Sequence, residues 1–155
     1  MSKPSNVHVF SIVSKMLKDE VFINSKPISY EALMAPDWAS RSPVLKYIED
    51  WTFDASDLDV VQEKIKELQW TATLLYVAGK KGMKPGDPFF ADFISVHLVT
   101  SALFLPVWVS KLSPRSRYLL LSMYLSSILA LWYSRGCPVP NIKVSEHPVL
   151  TSSAC

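Results

Sequence analysis

Within the stretch DFISVHLVTSALFLP, residues 92–106, an aspartate, a histidine and a Thr-Ser pair interrupt an apolar run. Residues three and four apart share one face of a helix, so Phe93, His97, Thr100, Ser101 and Phe104 form one stripe. That stripe sets an imidazole beside hydroxyls and between two aromatic rings, and three roles are open to it. A neutral imidazole has one donor and one acceptor nitrogen, and a neighbouring Ser or Thr satisfies one of them, so a hydrogen-bonded core histidine is the default. Its ordinary pKa also suits proton transfer near neutral pH, and the same ring can ligate a metal. Asp92 stands about 140° around the helix from His97 at about 100° per residue, so its expected partner is another helix rather than the imidazole.

Other chemistries find less support. A metal centre takes three or more ligands, and the remaining histidines, His8 and His147, lie near the two ends of the chain. No H-x-x-x-H, facial triad or C-x-x-C occurs, and Cys137 and Cys155 outline neither a disulfide framework nor a zinc site. Reduced thiols and an N-terminus without a signal-peptide core point to a cytoplasmic protein. There is no G-x-G-x-x-G after a strand, no P-loop and no G-x-S-x-G, which removes dinucleotide domains, NTPases and α/β-hydrolases. Sixteen Lys and Arg against fourteen Asp and Glu leave a net charge of +2 with no charge block, so no nucleic-acid partner is expected.

The elements that must position these residues read as helices throughout. The chain has 155 residues, 49% apolar and 19% charged, enough for one domain with a real core. After Asn6 as a candidate N-cap, Val9, Ile12, Val13 and Met16 recur at helical spacing, with His8 in an exposed or capping place. Residues 24–42 read as turns with a short helix at 29–34. Ser42 and Pro43 then open a helix with Leu45, Ile48 and Trp51 inward. The clearest stripe is Leu58, Val61, Ile65, Leu68, Ala72 and Leu75, with Ser56 and Asp59 spaced as a capping box and the helix running to Ala78 before Gly79. Asp87 and Pro88 repeat a cap-plus-proline start for the helix holding His97, which should stop or kink near Pro106. Ser113 and Pro114 open the last helix, and Gly136 closes it.

The expected fold is therefore all-α, a compact bundle of about five helices over residues 1–143, with a disordered tail at 144–155. Residues 117–133 are apolar or small nearly all round, close to the length that spans a bilayer. Three serines within that run, Arg117 and Arg135 at its ends, and His97 and Pro106 in the preceding run favour a central core helix over a membrane hairpin.

Three segments in order, ELQWTATLLYVAG, DFISVHLVTSALFLP and LSPRSRYLLLSMYLSSILALWYSRGCPVPNI, resemble the C-terminal part of the questin oxidase-like family over residues 44–142. The family resemblance implies an all-helical oxidoreductase acting on fungal aromatic polyketides in secondary metabolism. Its reactions include Baeyer-Villiger-type or oxygen-dependent ring opening of anthraquinones. It also implies NADPH and molecular oxygen, and for some relatives non-haem iron on histidine ligands. Carried onto this chain, His97 is the motif histidine, as catalytic group or metal ligand. Asp92 and Phe93 are the pair before it, Thr100 and Ser101 its hydroxyl pair, and Arg135 with Gly136 the late turn; Ser101, Thr100 and Asp92 are the expected catalytic residues beside His97, a hydroxyl of the pair orienting the imidazole. Phe93, Phe104 and Arg135 are the expected substrate contacts. The pattern departs from the family at Phe90, where a basic residue often stands, and at Ala102, in place of a serine. Family members are commonly much longer, so the site's other members are expected outside this chain, and the expected partners are a missing N-terminal half or a homo-oligomer; a truncated, non-catalytic helical domain or interaction module is the alternative, with a small membrane-associated protein less favoured.

Overall fold

The computed structural model describes residues 6–33, 35, 42–78, 88 and 92–139. In chain order its helices are α1 (Val9–Met16), α2 (Glu20–Ile23), α3 (Tyr30–Leu33), α4 (Leu45–Ile48), α5 (Leu58–Val77), α6 (Phe93–Ala102), α7 (Leu105–Ser110) and α8 (Pro114–Ser134). The fold is all-α: among the described residues β pairing is limited to one isolated bridge between Asn6 and Thr52. The five expected helices are α1, α4, α5, the α6–α7 run and α8. Single turns at α2 and α3 fill the connections. The expected Gly79 cap, the Asp87 cap and the 144–155 tail lie outside the described residues.

Helix α5 is the hub, packing against α1, α6, α7 and α8. Its stripe is inward at Val61, Ile65, Leu68 and Ala72, while Leu58 at its first turn faces solvent. From α1 come Val9, Ile12 and Met16, and from α8 Leu121, Leu125, Ile128, Leu129 and Trp132. Trp51 and Phe53 fill the end near α1, their rings 4.9 Å apart. Around α4 the inward residue is Val44, and Leu45 is exposed.

Several caps differ from the sequence expectation. His8, not Asn6, caps α1: its Nδ1 accepts the Phe10 N–H at 3.1 Å. Asp57, not Ser56, caps α5, accepting from the N–H groups of Asp59 and Val60, while the Ser56 hydroxyl is engaged by Asp54. Helix α6 begins at Phe93 under Asp92, which has extended dihedrals and accepts the Ile94 N–H at 3.2 Å. The break expected near Pro106 falls at Leu103 and Phe104, with the proline in the first turn of α7. Ser113 caps α8 as expected. At the other end the N–H of Gly136 bonds the Tyr133 carbonyl and that of Cys137 bonds Trp132, a Schellman arrangement with Gly136 at φ 80°.

One buried charge was not singled out by periodicity. Lys64 is fully buried, its Nζ donating to the Val7 carbonyl at 2.8 Å and to Glu67 at 2.9 Å, above the Trp51 ring. Glu67 also accepts the Val9 N–H at 3.1 Å. The pair thus stitches the segment before α1 to the middle of α5. Among the described residues no helix is long and apolar enough to cross a membrane.

Candidate functional site

Helices α6 and α8 run antiparallel, a register fixed at both ends. At one end Arg135, the C-cap of α8, forms two hydrogen bonds to Asp92, Nε to Oδ2 at 2.9 Å and Nη2 to Oδ1 at 2.8 Å. The Ser95 hydroxyl donates to the same carboxylate. Burial pushes the Asp92 carboxyl up, but Ser95 and the Arg135 guanidinium outweigh it and hold the carboxyl below its usual range. Asp92 therefore meets another helix, as its position around the helix suggested. Further along, the Tyr124 hydroxyl donates to the Leu98 carbonyl and lies 2.8 Å from the Ser101 hydroxyl. Burial raises the Tyr124 phenol, against the smaller opposing effect of Ser101.

Between these two ties lies a groove of about 370 Å³, lined by Ile94, His97, Leu98, Ser101, Ser127 and Leu131. That volume is at the lower end of small-ligand sites, and the apolar walls with a few polar groups have the usual character of one. Beneath it a cavity of about 20 Å³, lined in part by Ser95, Leu98, Leu131 and Arg135, has room for about one water.

His97 is exposed on the groove's rim, which corrects the core-histidine reading. Helix α6 turns its Ala102 side inward and its His97 side out. The Phe93 ring packs edge-on against the imidazole, centroids 4.5 Å apart. The hydroxyls do not reach the ring: Ser101 bonds the His97 carbonyl at 2.5 Å, and Thr100 bonds the carbonyls of Val96 and His97 at 3.1 and 3.3 Å. Among the described residues nothing hydrogen-bonds the His97 ring nitrogens. The structure thus brings His97, Ser101 and Phe93 to one groove edge, places Thr100 and Phe104 exposed on the outer side of the same run, and sets Asp92 and Arg135 apart as a clamp. Tyr124, Ser127 and Leu131 were not singled out from the sequence. Their three-and-four spacing was visible, but which side of an apolar helix meets α6 was not.

A model of the questin oxidase-like family matches residues 1–152. The chain belongs to the questin oxidase-like family. The match extends past residues 44–142, where the motifs carried the resemblance, to nearly the whole chain. No curated protein and no solved structure matches it. For a questin oxidase-like chain the iron expected of some relatives can be tested against these residues. Among the described residues no group of three His, Cys, Asp or Glu side chains could hold a metal. His97 has no second ligand in its groove, and His8 lies across the bundle, 4.0 Å from Glu67; His147 is outside the described residues. The groove lining also holds no Lys or Arg to meet the phosphates of NADPH. Among the described residues, the lining of this groove fits neither group.

Proposed function

We propose that the chain is an oxidoreductase acting on an aromatic polyketide of the anthraquinone type, bound in the α6/α8 groove with His97 at its rim. The observation that carries this reading is the placement of His97, the motif histidine by resemblance, exposed and beside an aromatic ring, on a mainly apolar groove large enough for a small flat ligand. In this arrangement Ile94, Leu98 and Leu131 hold the polycycle by apolar contact, and Phe93 packs at its edge. His97 takes a phenolic proton from the bound ring, leaving a phenolate that gives electrons more readily to molecular oxygen, the oxidant of the proposed reaction. The Asp92–Arg135 clamp and the Tyr124–Ser101 contact are positioning elements that set the groove's width.

The test is incubation of the purified chain with a hydroxyanthraquinone in air, with and without NADPH, following substrate loss and oxygen uptake. Turnover that falls about 100-fold in His97→Ala, with the thermal midpoint unchanged, is the expected result. Absence of turnover, or turnover indifferent to His97→Ala, would refute it. A non-catalytic binding module is favoured by one observation: the Thr100 and Ser101 hydroxyls are bonded to backbone carbonyls and leave the imidazole without an orienting partner. In that case the polycycle binds without oxygen uptake.

A further inference from the structure

The α6–α7 run carries large apolar side chains on both its sides. At about 100° per residue, and with helical dihedrals carried through Leu103 and Phe104, the buried residues Ala102, Leu105 and Val109 share one side. Phe93, Phe104, Val107 and Trp108 lie on the other, within an arc of about 100° that also holds the exposed His97 and Thr100. These four are 73%, 60%, 65% and 65% exposed. Leu103 and, across the groove on α8, Met123 are 66% and 69% exposed. No Asp, Glu, Lys or Arg occurs from residue 93 to 110, or from 118 to 134. A helix with large apolar side chains on both sides is normally buried on both, and here one side is uncovered.

The six side chains together present roughly 800 Å². Typical monomers leave apolar patches of about 300–600 Å², whereas each partner of a standard stable interface contributes about 800 Å². An uncharged face also meets its own copy without like-charge repulsion, the requirement of a two-fold contact in which the same patch serves both subunits. We propose that this face is a self-association surface, on which a second copy of the chain packs its own α6–α7 run and roofs the open side of the α6/α8 groove. The proposal rests on exposure, charge and area, and stands whether or not the groove turns over a substrate.

Sedimentation velocity of the full chain over a range of concentrations tests it. The 17.5 kDa chain should give a reversible dimer of twice that mass. Trp108→Glu and Phe104→Glu should each weaken association at least 10-fold with an unchanged circular dichroism spectrum. The milder Met123→Lys, on a different helix, should weaken it too even if a glutamate variant fails to fold. Trp70→Glu, exposed on α5 away from this face, should leave the dimer intact. A wild-type chain that stays monomeric at the highest concentration would overturn the proposal. So would a monomer that co-sediments with phosphatidylcholine vesicles, or a dimer unmoved by Trp108→Glu and Met123→Lys.

Discussion

His97 and Asp92 belong to one sequence motif, yet they serve different ends. Asp92 has both carboxylate oxygens committed, and together with Arg135 it ties the start of α6 to the end of α8. Replacing Arg135 with Met would leave a largely buried carboxylate without its cation, at a cost of about 2 kcal/mol in urea unfolding at pH 7. The sign of the pH dependence follows from the lowered Asp92 carboxyl. Its stabilisation is fully present above the unfolded value of about 3.9 and is lost as pH falls through the lower folded value. The acid limb of wild-type stability should therefore be steeper than that of Arg135→Met. Sequence spacing placed His97 beside Phe93 correctly and separated it from Asp92. It did not show that the imidazole faces outward, because an apolar residue on either side of α6 looks the same from the sequence.

At the scale of elements, boundaries were legible where cap chemistry is unambiguous. Ser113-Pro114 and Gly136 delimit α8 because a hydroxyl cap, a proline without an N–H and a residue free to take positive φ each suit one end only. Where several short polar residues precede a helix, the one expected from spacing was not the cap: Asp57 rather than Ser56 closes the start of α5, and Asp92, five residues past the expected Asp87, caps α6. Asp57→Ala should cost about 1 kcal/mol by chemical denaturation, since two N–H groups at the start of α5 lose their acceptor. Ser56→Ala should cost less, its hydroxyl being held by Asp54. Gly136→Ala should also cost about 1 kcal/mol, because a Cβ opposes the positive φ that closes the Schellman turn. Equal losses at Ser56 and Asp57 would contradict the cap assignment.

At the scale of the molecule, the helical class was readable from periodicity and the hub role of α5 from its long stripe. The polar stitching was not, since Lys64 and Glu67 look like a solvated pair until α1 is laid across them. Lys64→Met should destabilise the chain by about 3 kcal/mol, because Glu67 stays buried without its cation and the Val7 carbonyl loses its donor. A thermal midpoint unchanged from wild type would contradict that. The central claim concerns the groove joining α6 to α8, and nuclear magnetic resonance reads it directly. In a titration with a hydroxyanthraquinone, the expected result is a saturable shift of the His97 ring protons and of the Ser101 and Ser127 amides, with the His8 ring unmoved. Unmoved His97, Ser101 and Ser127 signals at saturating ligand, or shifts centred on His8, would contradict it.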